Sequence, residues 1–105
     1  MTDKILSLLG LSRRANRLVY GFDPVQKAII EKKARLILTA SDFSHNSEKK
    51  IRAFAEERNI TILSLPYDKE ALSRSVGHHC GVVAVTDDGF SDKLQQLITT
   101  ANDEI

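Results

Sequence analysis

Leu18-Val19-Tyr20-Gly21-Phe22-Asp23-Pro24-Val25-Gln26-Lys27 is the stretch that decides the fold. Three apolar residues read as a short strand that stops at a glycine. An Asp-Pro pair then opens an amphipathic helix, with a lysine one turn in. Asp23 suits the N-cap, where its carboxylate accepts a bond from an orphan N–H of the first turn. Pro24 suits the first helical position, where a missing N–H costs nothing. Gly21 permits a positive φ or a close approach by a partner. The free N–H groups and the helix dipole then make an anion-binding turn, and Lys27 adds a charge beside it. An ordinary strand-to-helix turn on a solvated basic face accounts for the same residues.

Outward from this turn, helix and strand alternate. Ile5, Leu8 and Leu9 share one helical face in residues 3–13, and Val25, Ala28 and Ile29 predict a helix over 24–33. Arg35 to Ala40 is a nearly continuous apolar run, the mark of a strand covered on both faces. Residues 45–58 read as a helix with Ile51, Phe54 and Ala55 inward, and Ile60 to Leu65 as a strand closed by Pro66. Lys69 to Ser75 is a short helix and Val82 to Val85 a fourth strand. Thr86-Asp87-Asp88-Gly89 reads as a turn and helix cap, and Phe90, Leu94, Leu97, Ile98 and Ala101 line the last helix. This alternation predicts an α/β fold with helices on both faces of a four-stranded, mixed and mostly parallel sheet.

A chain of 105 residues is close to the commonest single-domain size. A domain of that size buries roughly two-thirds of its unfolded surface, enough for a core without staples. Its 42% hydrophobic and 28% charged residues are those of a globular protein. The lone cysteine, Cys80, excludes an intramolecular disulfide framework and fits a reducing, cytoplasmic setting. Met1-Thr2-Asp3-Lys4 leads into an amphipathic segment rather than a secretory signal, and no apolar run approaches the roughly 20 residues of a membrane span. No membrane partner is expected.

The net charge of +1 hides an asymmetry. Residues 1–58 hold twelve basic and seven acidic side chains, whereas residues 59–105 hold three and seven, so the halves stand at +5 and −4. A basic half of this kind points to a polyanion-facing side. With Arg13, Arg14 and Arg17 upstream of the Gly21 turn, an RNA backbone is a fitting anion. Aromatic residues make up only 6% of the chain, without tryptophan, so a stacking platform for single strands is not expected. A folded or kinked duplex gripped through its backbone fits better.

Ligands of open α/β sheets sit beyond strand ends. The loops there are Gly21 to Asp23, Ser41 to His45 and Val76 to Gly81. The last, Val76-Gly77-His78-His79-Cys80-Gly81, has glycines near both ends and places His78 and His79 near phosphates. His-His-Cys is a poor metal site, because adjacent residues point apart and zinc takes separated ligand pairs; no metal or other cofactor is expected. There is no GxGxxG after a strand, no Walker A sequence and no nucleophile elbow. Asp42 reads as a cap for the helix that follows it, with a strand-end active-site role as the alternative. No enzyme is expected.

Leu9-Gly10-Leu11-Ser12-Arg13-Arg14-Ala15-Asn16-Arg17-Leu18-Val19-Tyr20-Gly21 resembles the opening of the small bacterial, YlxQ-like members of the L-seven-Ae/L-thirty-e ribosomal-protein family. Lys32-Lys33-Ala34-Arg35-Leu36-Ile37-Leu38-Thr39-Ala40-Ser41-Asp42 is similar to the family's "GKAKLVLLAED" strand. Leu72 to Val85 resembles its "LG…G…VVAI" loop and strand, and Thr86 to Phe90 its ending. The resemblance implies a three-layer α/β/α sandwich and, across residues 1–105, one RNA-binding domain. It also implies recognition of kink-turn RNA, a sharply bent duplex with tandem sheared G·A pairs. The binding surface would join the turn from Gly21 to Lys27 with the loop from Val76 to Cys80. Strong kink-turn binders read Gly-x-Asn-Glu-x-x-Lys at the helix start. Here Gly21 and Lys27 match, but Asp23 stands for the asparagine and Pro24 for the glutamate. Asp23 accepts from a guanine edge but cannot donate, and each lost base contact costs about 1–3 kcal/mol. Altered or weakened specificity is therefore expected.

The resulting expectation is a monomeric, non-enzymatic protein for structured RNA, either ribosomal RNA or another kink-turn RNA. Gly21 and Phe22 form the close-approach turn, and Asp23 meets a guanine edge. Lys27, Lys32 and Lys33 take phosphates, Arg13, Arg14 and Arg17 extend the basic surface, and Val76, Gly77, His78 and His79 pack on the bulged region. The rival readings are a protein-interaction adaptor using the acidic half, and a small nucleotide-binding enzyme using Asp42.

Overall fold

The structure, a computed structural model, describes residues 3–103. The order of elements is α1 (Lys4–Arg14), β1 (Leu18–Tyr20), α2 (Phe22–Ile30), β2 (Leu36–Thr39), α3 (His45–Glu57), β3 (Thr61–Ser64), α4 (Lys69–Val76), β4 (Val82–Val85) and α5 (Asp88–Asp103). The alternation read from the sequence holds: β1 and β4 have the expected bounds, and the other ends match or shift by at most three residues.

The sheet runs β1-β4-β2-β3. β4 lies antiparallel to both β1 and β2, and only β2 and β3 pair in parallel. The sheet is mixed, as expected, but it is not mostly parallel. Helical crossovers do make β1, β2 and β3 run the same way. β4 inserts between β1 and β2 in the opposite direction, and it thereby converts two of the three pairings to antiparallel.

Strand pleating explains the layers. In β2, Leu36 and Leu38 face one way and Ile37 the other; in β4, Val83 and Val85 face opposite to Val82 and Ala84. The first set packs with Ile5 and Leu9 of α1, Leu72 and Val76 of α4, and Leu94 and Ile98 of α5. The second set packs with Val25, Ala28 and Ile29 of α2 and Ile51 and Ala55 of α3. Three helices cover one face and two the other, the expected α/β/α sandwich. All four residues of β2 and all four of β4 are buried, as the continuous apolar runs require. β3, at one edge, is half exposed.

Local chemistry fixes the helix ends. Asp3 caps α1 by accepting from the amides of Ile5 and Leu6, and it also accepts a bond from the Tyr67 hydroxyl. Asp87 caps α5, accepting from the Phe90 amide at 2.9 Å, as Thr86-Asp87-Asp88-Gly89 predicts. Asp42 departs from expectation. It accepts from the amide of Lys69 at 2.7 Å and so serves the start of α4, not of α3. β2 and β3 are parallel neighbours, so the loops leaving them lie side by side at the same end of the sheet. Among the described residues, no helix is long and apolar enough to cross a membrane.

Candidate nucleic-acid interface

Register brings the two expected loops together. Tyr20, the last residue of β1, pairs with Val83 near the start of β4. The Gly21 amide continues the ladder and donates to the Val82 carbonyl at 2.9 Å. The turn that leaves β1 therefore lies against the loop that enters β4, although they are some sixty residues apart in sequence.

The helix opens two residues earlier than expected. Gly21, not Asp23, is the N-cap of α2, with φ 93° and ψ 158° and no side-chain cap bond. That conformation is almost reserved for glycine. Asp23 is the second helical residue and Pro24 the third, still within the turn where no N–H is needed. The first helical bond runs from the Val25 amide to the Gly21 carbonyl. The amides of Phe22 and Asp23 thus precede the bonded helix, with no side chain capping them. They meet the positive end of the helix dipole at an open surface. Asp23 and Pro24 are exposed, and so is Lys27, one turn further along the helix; among the described residues Lys27 belongs to none of the ion pairs.

The facing loop is held at both ends. α4 stops at Gly77, which takes a left-handed conformation (φ 90°) and donates its amide to the Ser73 carbonyl. The Ser73 hydroxyl accepts from the Cys80 amide at 3.0 Å and lies 3.2 Å from the Cys80 carbonyl, to which it donates. Between these anchors Gly77, His78 and His79 are exposed. Cys80 is buried, and desolvation holds its thiol above the ordinary range despite the Ser73 bond. Gly81 has no room for a side chain, since a Cβ there would lie 2.6 Å from Phe43.

A third element completes the cluster, and sequence reasoning missed its centre. The His78 ring stacks on the Tyr20 ring with centroids 4.6 Å apart and planes 9° from parallel. Arg13 from α1 places its guanidinium 5.6 Å from the Tyr20 centroid and its Nη2 3.0 Å from His78 Nε2. Tyr20 is the hub that joins α1, β1 and the α4–β4 loop. Its only signal in the sequence is an aromatic residue at a strand end beside Gly21, which also suits a core position. α1 can approach α4 because Gly10 leaves space, a Cβ there meeting the Ser75 carbonyl at 3.0 Å. The Ser75 hydroxyl donates to the Leu6 carbonyl across the same contact.

The structure brings together Arg13, Gly21, Phe22, Asp23, Lys27, Gly77, His78 and His79. It does not bring in the rest. Val76, 4% exposed, belongs to the core beneath α4 rather than to the surface. Lys32 and Lys33 follow the far end of α2, a nine-residue helix and so about 13 Å away from the turn. Lys33 pairs there with Glu31 at 3.3 Å. Arg17 precedes β1, and its carbonyl accepts from Thr86 beyond the end of β4, which also puts it at the opposite end of the strands. Arg14 is one step round α1 from Arg13 and turns toward α4 and α5. Neighbours in sequence are split because one helical step rotates a side chain by about 100° and a strand carries the chain across the sheet.

Comparison with known proteins agrees with this architecture. Residues 3–95 match the Ribosomal protein L7Ae/L30e/S12e/Gadd45 family. The chain is 40% identical over 96 residues to RNA-binding protein YlxQ of Bacillus subtilis (strain 168), covering 87% of this chain and 91% of that protein. It is 27% identical over 96 residues to RNA-binding protein YlxQ of Enterococcus faecium, covering 91% and 92%. A protein with unknown function from Bacillus halodurans C superposes with a TM-score of 0.88 at 34% identity, over 93% of this chain and 99% of that one. The Giardia lamblia 15.5kD RNA binding protein shares the fold alone, with a TM-score of 0.73 at 15% identity over 100% and 93% of the two chains.

Proposed function

The chain belongs to the Ribosomal protein L7Ae/L30e/S12e/Gadd45 family, and from that premise we propose that it is a non-enzymatic RNA-binding protein that grips a kink-turn-like RNA at the Gly21 edge of its sheet. The observation that carries this reading is the union of an uncapped, glycine-opened helix start with the Gly77–His79 loop through Arg13, Tyr20 and His78. Relatives at 40% and 27% identity carry the name RNA-binding protein, which supports RNA as the ligand. The two free amides of α2 and Lys27 suit a phosphate at the bend. The exposed His78 and His79 suit an unstacked nucleotide beside it. Asp23 and Pro24 stand where the strong binders have Asn-Glu, so base-edge recognition relies on Asp23 as an acceptor and on the backbone. Residues 1–105 act as one domain, as a monomer on ribosomal or another structured RNA, in the cytoplasm.

The test is a salt titration of binding to a kink-turn RNA beside the same duplex without its bulge. Tight, bulge-dependent binding is expected. Equal and steeply salt-dependent binding to both duplexes would reduce the interface to a basic patch. Absence of binding to either at moderate salt would overturn RNA as the ligand and favour the adaptor reading.

A further inference from the structure

A second surface lies outside this cluster. Between α1 and α5 runs an open groove of about 540 Å³, floored by Leu8, Leu11 and Leu97 and rimmed by Lys4, Arg14 and Lys93. Leu11 is 49% exposed, one of two large hydrophobic side chains so exposed among the described residues. The helices are already joined beneath the groove by Ile5, Leu9, Leu94 and Ile98. Leu8 and Leu97 are half-buried against that core, and Leu11 stands clear of it, so the groove keeps an apolar floor open to solvent. Among the described residues, no carboxylate lines the groove.

We propose that the α1–α5 groove docks an acidic amphipathic helix of a protein partner. Aliphatic or aromatic anchors would seat on Leu8, Leu11 and Leu97, while carboxylates one turn away meet Lys4, Arg14 and Lys93. The geometry is that of a helix laid in a groove, read by anchors spaced three and four residues apart. Charge selects the occupant. Lys4, Arg14 and Lys93 on the rim attract an acidic segment and repel a basic one. A second copy of the chain fits poorly, because a two-fold contact through this groove sets the same three cations against each other. Nucleic acid fits poorly as well, since leucine offers no π-face for a base and a phosphate gains nothing from an apolar floor.

The experiment is an NMR titration of the isotope-labelled full chain with two synthetic helical peptides of about 15 residues. Both carry the same leucine spacing; one is flanked by glutamates, the other by lysines. The glutamate peptide is expected to shift amides around Leu8, Leu11 and Leu97 and to bind at least about tenfold tighter than the lysine peptide. Leu11→Glu, at a half-exposed position, is expected to weaken it about tenfold or more, with affinity for the kink-turn RNA unchanged. The pair Lys4→Glu and Lys93→Glu is expected to reverse the peptide preference. Shifts absent or spread over the surface, equal binding of both peptides, displacement of the groove resonances by RNA, or a concentration-dependent dimer abolished by Leu11→Glu would each overturn the proposal.

Discussion

Arg13 Nη2 sits 3.0 Å from Nε2 of His78, a residue 65 positions away in the chain. A guanidinium can only donate, so His78 Nε2 must accept, which places the imidazole hydrogen on Nδ1. The contact fixes a tautomer and holds the α4–β4 loop against α1 while the ring lies flat on Tyr20.

Imidazole nitrogen shifts should therefore report an unprotonated Nε2 and a protonated Nδ1 in the neutral side chain. For RNA binding, Arg13→Ala and His78→Ala should each weaken affinity. The double variant should lose less than the two together, by on the order of 0.5 kcal/mol, because they share one contact. Strict additivity in this cycle would mean that the contact is unimportant to binding.

Tyr20 contributes its ring face rather than its hydroxyl. Tyr20→Phe should leave RNA affinity within about twofold, whereas Tyr20→Ala should lower it by about three- to tenfold, the worth of a lost aromatic pair. Filter-binding or fluorescence titration at fixed salt distinguishes the two.

Gly21→Ala probes the turn. A Cβ there meets Pro24 Cδ at an ordinary 3.7 Å, so the strain comes from the backbone at φ 93° and not from a clash. A stability loss of about 1–3 kcal/mol is expected in urea unfolding, with RNA binding reduced more than unfolding alone explains.

Lys27 and the Lys32–Lys33 pair should separate in salt dependence. Lys27→Ala should weaken binding to all RNAs and reduce the slope of log affinity against log salt by about 1. Lys32→Ala with Lys33→Ala should leave the bulge-dependent part of binding intact, because these residues follow the far end of α2. An equal loss from both sets of variants would place the RNA along the whole of α2.

Burial pushes the Cys80 thiol up, and burial together with Asp3 pushes the Tyr67 hydroxyl up. Both groups are acids whose folded-state values lie above their unfolded ones. The folded chain therefore holds more protons at alkaline pH. Their stabilising effect is complete below about pH 8, the foot of an ordinary thiol titration, and falls as pH rises beyond it. Urea midpoints should decline above that point, and Cys80→Ala should move the onset upward. The native thiol should react slowly with disulfide reagents and rapidly once unfolded.

Much of this molecule is legible in its sequence. The apolar runs of Leu36–Thr39 and Val82–Val85 require strands covered on both faces, and the three-and-four spacing of Val25, Ala28 and Ile29 requires an amphipathic helix. Gly21 announces a backbone that other residues resist, and Asp87 announces a cap. These features depend on a residue and its near neighbours, which is why composition and period reveal them. The tertiary structure alone decided that β4 enters between β1 and β2, since strand insertion depends on which pairing buries the most apolar surface, not on any local pattern. That insertion seats His78 on Tyr20. The parallel pairing of β2 with β3 brings Asp42 to the start of α4, and the packing of α4 on the sheet buries Val76. Arg17, Lys32 and Lys33, which precede β1 and β2, lie at the end of the strands opposite Gly21. A site assembled from residues 13, 20 and 78 exists only after the chain has closed, because its contacts are set by register and packing across the sheet.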